Sequence, residues 1–146
     1  YVSKHLFEKK PDVPFKGVVG SSALSVFDYH FAQSGLNSTT AKRAGVNIKT
    51  SFYEDRLRPP YVPVGKDNPK VYVYLAYKPD SHQIVGGAVL SKRDITAQDN
   101  ALSLAISNKM RLEDLADADF FFQPGFDRQW SLLNLAAQHA LGESKF

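Results

Sequence analysis

The chain has 146 residues, of which 43% are hydrophobic and 23% are charged, with a formal net charge of +3 and no cysteine. Such a length fits one domain with a sizeable core, and the lack of cysteine excludes disulfides, thiolate catalysis and thiolate metal sites. No apolar run is long enough to predict a membrane span, and the mild, dispersed positive charge argues against nucleic-acid binding. We therefore expect a globular domain from a reducing, cytoplasmic setting.

The first residues are predicted to belong to a preceding part of a longer protein. Residues 1–14 resemble the end of a helix followed by a linker, since a few apolar positions are followed by Pro11 and Pro14, which break regular structure. The only methionine is Met110, which suggests that the chain was processed or cut from something longer. We place the domain itself at residues 15–146.

Strand patterns dominate the first two thirds of the domain. Residues 18–33 favour two short strands, or one strand with a bend near Asp28, and "VNIKTSFYED" reads as another strand. "KVYVYLAY" and "QIVGGAVLS" predict two strands joined by the turn "KPDSH", and both faces of the first are apolar, which predicts that both are covered. "RPPYVP" forces an extended connection, and Gly86–Gly87 inside a strand indicates a bulge or the close approach of another backbone.

Helical patterns dominate the rest. A short helix "STTAKRAG" is expected after an N-cap at Asn37 or Ser38 and ends at Gly45. After Asp94 the apolar period becomes about 3.6, which predicts three more helices. The first has a capping-box-like start at Thr96 and Asp99, and its apolar positions are Leu102, Ala105 and Ile106. The second is short, with apolar positions Met110, Leu112, Leu115 and Ala116. The third runs from about Arg128 to Leu141 and is stopped by Gly142; its apolar positions are Trp130, Leu133, Ala137, Ala140 and Leu141. The order predicts an α+β fold, an antiparallel β-sheet with helices packed on one face.

No catalytic constellation is evident. The four histidines lack metal-ligand spacing, and His82 is expected to be solvated in a turn. The glycines make no dinucleotide or phosphate-binding fingerprint, and no activated-serine pattern occurs. The acidic residues Glu113 and Asp114 fall in a first helical turn, where acids are favourable without any ligand, so no metal site is predicted.

The stretch "DFFFQPGFDRQW" at residues 119–130 is the most unusual feature. Three consecutive phenylalanines cannot all face one small core from an extended segment, so we expect alternate rings to pack inward. Two interpretations stay open: the segment is sandwiched between the sheet and the last helix, or one side of it faces another polypeptide.

Three segments together carry a family resemblance. "AQSGLNSTTAKRAGV", "KVYVYLAYKPDSHQIVGGAVL" and the run from "QIVGG" to "FFFQPGFD" resemble, in this order, the C-terminal dimerisation domain of the FAD-dependent pyridine nucleotide–disulfide oxidoreductases. The resemblance covers roughly residues 15–142. The triple phenylalanine and "RPPYVP" are most similar to the branch of NADH oxidase, NADH peroxidase and coenzyme A-disulfide reductase.

The resemblance implies residue roles in a lid over the partner subunit's active site. In the glutathione reductase branch, a histidine and a glutamate occupy the positions of Gln123 and Arg128, and neither replacement can serve in a proton shuttle. In the coenzyme A-disulfide reductase branch, two tyrosines approach the partner's cysteine; Tyr61 matches one, and Phe126 occupies the place of the other, as expected for an oxidase. The implied interface or lid residues are Tyr61, Phe120, Phe121, Phe122, Gln123, Pro124, Gly125 and Phe126.

The resemblance also implies a parent enzyme. That parent, by resemblance an NADH oxidase, passes electrons from NADH through FAD to oxygen, peroxide or a disulfide. FAD and NAD(H) are expected to bind its preceding domains, and this chain is expected to form the homodimer interface and to be inactive and cofactor-free on its own.

Two alternatives stay open from the sequence. The chain could be a free-standing α+β binding module whose aromatic patch takes a small ligand or a peptide. It could also be an independent enzyme that uses Tyr61, His30 or Asp127 as acid–base groups.

Overall fold

A computed structural model describes residues 6–7, 15–65, 67–123 and 126–142. Most of the predicted tail and linker over residues 1–14 lies outside the described residues, as do Pro124 and Gly125. The α+β prediction is confirmed: five strands form one antiparallel sheet, and the two longer helices of the C-terminal part pack on one face of it.

The strands of the sheet run in the spatial order β1-β2-β5-β4-β3, and every neighbouring pair is antiparallel. Residues 18–33 contain two strands rather than one bent strand, because the chain reverses at Phe27, whose φ of 52° lies in the left-handed region. The strands are β1 (Ser22–Val26), β2 (Tyr29–Gly35), β3 (Lys49–Arg56), β4 (Lys70–Tyr77) and β5 (Ile84–Ser91).

Four α-helices are described: α1 (Ser38–Ala44), α2 (Asp99–Ser107), α3 (Leu112–Ala116) and α4 (Leu132–Ala140). The boundaries predicted for α1 are confirmed. The Asn37 side chain accepts hydrogen bonds from the backbone N–H groups of Thr39 and Thr40, and Gly45 ends the helix at a φ of 65°. The cap satisfies N–H groups that the first helical turn otherwise leaves unpaired.

The last helix begins later than predicted. It starts at Leu132 rather than near Arg128, because Ser131 is its N-cap and accepts a hydrogen bond from the Asn134 N–H. Trp130 therefore precedes the helix and belongs to the loop before it. Similarly, Met110 lies just before α3 rather than inside it.

The start of α2 also differs from the prediction. Thr96 is in a short 3-10 turn (Thr96–Gln98), and no side chain caps α2. The carboxylate of Asp94 instead accepts hydrogen bonds from the N–H and the hydroxyl of Thr96, at 3.0 and 2.6 Å. The capping box expected from Thr96 and Asp99 does not form, since the stabilising oxygen comes from the residue two positions earlier.

The core lies between the sheet and the helices. Val71, Val73 and Leu75 of β4 are fully buried on the side where α2 and α4 pack. Tyr72 and Tyr74 lie on the opposite face and are only half-buried. Ala76, on the same face as these tyrosines, is fully buried, so the expectation that both faces of β4 are covered is confirmed in part for the tyrosine face.

The glycine pair in β5 lies where another backbone passes close by, as predicted. Gly86 pairs with Gly35 of β2, and a Cβ built on Gly86 would lie 1.8 Å from the carbonyl oxygen of Leu36. A Cβ on Gly87 would meet the Leu102 side chain of α2 at 2.8 Å. These distances leave no room for a side chain at Gly86.

A buried carboxylate, that of Asp99, lies at the first residue of α2. Its side chain is 4% exposed, and one oxygen accepts a 2.6 Å hydrogen bond from the Ser34 hydroxyl. Its second oxygen, Oδ1, is buried and accepts no hydrogen bond from the described residues. Burial raises the pKa of Asp99 above its usual value, although the hydrogen bond from Ser34 opposes this.

This burial predicts a pH-dependent stability difference. A carboxyl group whose pKa is higher in the folded chain binds more protons there than in the unfolded chain, so its contribution to stability falls as the pH rises from the unfolded to the folded pKa. Asp99→Asn cannot ionise, and we expect its melting temperature to exceed that of the wild type by about 3 °C near neutral pH. Thermal unfolding followed by circular dichroism over a pH series measures this. If the difference in melting temperature does not shrink as the pH falls below the pKa of Asp99 in the unfolded chain, burial does not raise the Asp99 pKa in the folded chain.

Candidate functional site

The aromatic loop (residues 119–130) connects α3 to α4. Phe120 packs against the core, whereas Phe121, Phe122 and Phe126 are exposed by 70%, 51% and 75%. The expected alternation is therefore wrong, since Phe121 and Phe122 both point outward. The sandwiched interpretation holds for Phe120 alone, and the remaining described rings form an exposed apolar surface.

The two ends of the aromatic loop are held by one side chain, that of Asn134 in α4, which is 1% exposed. Its amide nitrogen donates to the carbonyls of Leu115 and Ala118 at 2.9 and 3.0 Å, before the loop. Its amide oxygen accepts a hydrogen bond from the Ser131 N–H at 3.0 Å, directly after the loop. Asn134 thus fixes the points where the loop leaves and rejoins the core.

A cleft of about 320 Å³ opens between the aromatic loop and the segment that follows β3. The fold brings Tyr61, which is 66% exposed, into the same cleft as Phe122 and Trp130. Two of the predicted lid residues, Tyr61 and Phe122, therefore line one cleft. Pro59 and Pro60 also line the cleft. The extended connection expected from "RPPYVP" is wrong at this point, because the Val62 N–H donates to the Pro59 carbonyl at 3.0 Å and closes a turn there.

The polar wall of the cleft is an ion pair between Arg128 and Asp55. The Arg128 guanidinium lies 2.7 Å from Asp55 Oδ2 and also donates to the carbonyl oxygen of Arg56 at 2.8 Å. Asp55 accepts two further hydrogen bonds, from the Tyr53 hydroxyl and the Arg56 N–H, both at 2.6 Å. The side chains of Arg128 and Asp55 are 16% and 30% exposed, so water competes with this pair only in part.

The sequence contains a partial signal for this cluster. Tyr53 and Asp55 are two residues apart in a strand and therefore share a face, so their contact is predictable from β3 alone. Arg128 lies 72 positions after Arg56, and no local pattern links it to β3. From the sequence, Arg128 only replaces a glutamate that orients a histidine in the glutathione reductase branch, and its pairing with Asp55 is not predicted.

Near neutral pH, Asp55 and Tyr53 of the cleft each keep a single ionisation state. Burial opposes ionisation of Asp55, but hydrogen bonds from Tyr53, Arg56 N–H and Arg128 outweigh it and hold the Asp55 pKa below its usual range. Burial, followed by the hydrogen bond to Asp55, raises the pKa of Tyr53 well above its usual value. Burial also raises the pKa of Asp127. A permanently ionised acid and a permanently protonated phenol orient neighbours rather than exchange protons.

The other candidate groups make structural contacts. His82 is half-buried rather than solvated, and its Nδ1 is hydrogen-bonded to Glu113 Oε1 at 2.6 Å. Its ring contacts the Tyr77 ring edge-on. His30 bonds to Ser25 at 2.9 Å on the β1–β2 hairpin and lines a different groove from Tyr61. Within the described parts of the chain, no group of three or more histidine, aspartate or glutamate residues is placed to hold a metal ion. In the same parts, no helix has the length and apolar character needed to cross a bilayer.

The fold and the exposed aromatic loop define an α+β domain suited to contacts with another polypeptide. Residues 21–132 match the family described as pyridine nucleotide-disulphide oxidoreductase, dimerisation domain, and the chain belongs to that family. The resemblance read from the sequence is thereby confirmed at the level of the family.

Named relatives share most of this chain. An NADH oxidase of Enterococcus faecalis is 43% identical over 140 residues, which are 96% of this chain and 30% of that protein. An NADH oxidase of Lactococcus lactis is 33% identical over 125 residues, 85% of this chain and 28% of that protein. The solved water-forming NADH oxidase from Lactobacillus brevis, bound to NADH, matches with a TM-score of 0.85 at 38% identity, over 92% of this chain and 29% of that one. The chain thus spans less than a third of the length of these relatives.

Proposed function

We propose that this chain is the C-terminal dimerisation domain of a cytoplasmic flavoprotein of the NADH oxidase type. Its parent transfers electrons from NADH through FAD to oxygen, peroxide or a disulfide. Residues 15–146 form the subunit interface of a homodimer, and the aromatic loop covers the flavin site of the partner subunit. The observation that carries the proposal is the exposed row of Phe121, Phe122 and Phe126 in a member of a dimerisation-domain family.

The exposed rings support a contact role on energetic grounds. Burying one phenylalanine side chain is favourable by about 1.5–3 kcal/mol, so three exposed rings on one loop favour association. Phe120 and Asn134 hold the base of the loop on the core, which keeps the loop from folding its rings inward. A loop that is fixed at its base and apolar at its tip is suited to insertion into a neighbour.

The cleft residues fit a cover for a flavin but not a site that holds one. Tyr61, Phe122 and Trp130 offer aromatic surface for a planar ring to pack on. A dinucleotide cofactor needs a glycine-rich turn at a helix N-terminus for its phosphates, and the glycines of this chain do not form that motif. FAD and NAD(H) therefore belong to the preceding domains in this proposal, and the isolated chain is catalytically silent.

The lid lacks a proton donor at its tip. Gln123 stands where a histidine would supply acid–base chemistry, and Phe126 stands where a tyrosine would. Arg128 is committed to Asp55. This set of side chains excludes water and packs, which suits an oxidase whose proton transfers are carried out by groups outside this chain.

The exposed rings predict the effect of a charge in the aromatic loop. Phe122→Asp is expected to weaken self-association of the chain at least about tenfold, because a carboxylate replaces a ring that becomes buried in the interface. Sedimentation or light scattering over a concentration series measures the dissociation constant. A chain that is strictly monomeric, with solubility and stability unchanged by Phe122→Asp, refutes the proposed interface.

Phe27→Asp provides a matched control at the opposite end of the sheet. Phe27 is 98% exposed in the β1–β2 turn, and aspartate tolerates its positive φ better than phenylalanine does. This variant is expected to associate like the wild type. If Phe27→Asp dissociates the dimer and Phe122→Asp does not, the contact lies on the hairpin and not on the aromatic loop.

A further inference from the structure

The aromatic loop is tied to β3 by side-chain bonds from Arg128. Two described backbone hydrogen bonds of the loop are local: the N–H groups of Phe126 and Asp127 both donate to the Gln123 carbonyl, at 2.8 and 2.9 Å. Arg128 reaches across to Asp55 and to the Arg56 carbonyl instead. The described bonds at Phe126 and Asp127 are local, whereas Arg128 joins the C-terminal half of the loop to the sheet.

The ion pair is built as a rigid contact. Asp55 is itself held by the Tyr53 hydroxyl and the Arg56 N–H, so its carboxylate cannot rotate freely to follow a moving arginine. The Arg128 guanidinium uses the same nitrogen for the carboxylate and the Arg56 carbonyl, which fixes its direction. Partial burial of both side chains makes a displaced, unpaired arrangement unfavourable.

The cleft lies directly on this contact. Asp55 and Arg128 line the same cleft as Tyr61, Phe122 and Trp130, so displacement of Arg128 alters the cleft in which these rings lie. We propose that Arg128 and Asp55 are positioning residues, whose ion pair sets where the aromatic loop and Tyr61 present their rings to the neighbouring subunit. This assignment rests on the proposed role of the loop as a lid and gives Arg128 a function in place of the orienting glutamate that the lid lacks.

Trp130 provides a direct readout, since it is the single tryptophan of the chain and lines the cleft. We expect Arg128→Met to raise the acrylamide quenching constant of Trp130 fluorescence by about twofold, at temperatures where circular dichroism shows a folded chain. Arg128→Lys keeps a charged donor nitrogen but shortens the side chain that reaches Asp55 and the Arg56 carbonyl, so it is expected to give an intermediate value. The matched control is Arg93→Met, which removes an exposed arginine paired with Asp67 at 2.9 Å and is expected to leave Trp130 unchanged.

The outcomes separate this inference from the proposed function. If the acrylamide quenching constant of Trp130 is the same in Arg128→Met and Arg128→Lys as in Arg93→Met, the ion pair does not position the loop. The inference is then overturned, whatever the oligomeric state. If Arg128→Met fails to fold, Arg128→Lys alone decides between these results. If Trp130 becomes more accessible in the Arg128 variants while the wild-type chain is a strict monomer, the positioning role stands and the proposed interface fails.

Discussion

Gly86→Ala is expected to lower the free energy of unfolding by about 3 kcal/mol or more, a large fraction of the stability of an ordinary domain. The added methyl carbon would lie 1.8 Å from the Leu36 carbonyl oxygen and 2.8 Å from its carbonyl carbon. Both are backbone atoms, which cannot turn away as the end of a side chain can. Relief requires moving the turn between β2 and α1, or separating β2 from β5 where Gly86 pairs with Gly35.

Gly65→Ala is the matched control for this substitution. Among the described residues, no heavy atom outside the chain neighbours of Gly65 lies within 4 Å of a Cβ built there, and its φ does not require glycine. Its expected effect on stability is within about 0.5 kcal/mol, of either sign. Urea unfolding of both variants measures the difference. A Gly86→Ala chain as stable as Gly65→Ala would show that the Leu36 backbone does not approach β5 this closely.

Local sequence signals predicted the parts of the fold that local chemistry determines. The Asn37 cap, Gly45 and the β4–β5 hairpin each depend on residues a few positions apart, and the structure has them where the pattern placed them. The close approach at Gly86 was predicted because a glycine inside a strand has few other uses, and the 1.8 Å distance from a Cβ built there to the Leu36 carbonyl oxygen confirms it. The cap, the helix end and the hairpin were predictable since each one satisfies backbone groups of its own segment, whereas the approach of Leu36 to Gly86 was indicated by residue type alone.

Contacts across the chain were not predictable in this way. The helical pattern around Trp130 misplaced the start of α4, because Ser131 and Asn134 end the aromatic loop with bonds that periodicity does not report. The pairing of Arg128 with Asp55 depends on how α4 packs on β3, and no composition or spacing rule encodes that packing. The sequence therefore predicts which aromatic residues belong to the candidate site, and the structure adds the polar residues that hold them in place.

Asn134→Ala is expected to destabilise the chain by about 3 kcal/mol and to loosen the aromatic loop at both ends. The substitution leaves the carbonyls of Leu115 and Ala118 and the N–H of Ser131 without the partner that Asn134 supplies, and each buried unsatisfied group costs roughly 1–3 kcal/mol before relaxation. Thermal and urea unfolding measure the stability. Because the loop carries the exposed rings, self-association is expected to weaken even where the chain stays folded.

The Asn134→Asp variant separates the two ends of the loop. Aspartate keeps an oxygen for the Ser131 N–H but replaces the donating nitrogen with an acceptor that faces the carbonyls of Leu115 and Ala118. We therefore expect it to be at least as destabilising as Asn134→Ala, whereas Asn100→Ala, on the exposed side of α2, is expected to change stability by less than about 0.5 kcal/mol. A stable Asn134→Asp chain would mean that the Ser131 end alone holds the loop. The hydrogen bonds from Asn134 to the carbonyls of Leu115 and Ala118 would then contribute little to stability. The position of Phe121 and Phe122 would depend on Arg128 instead.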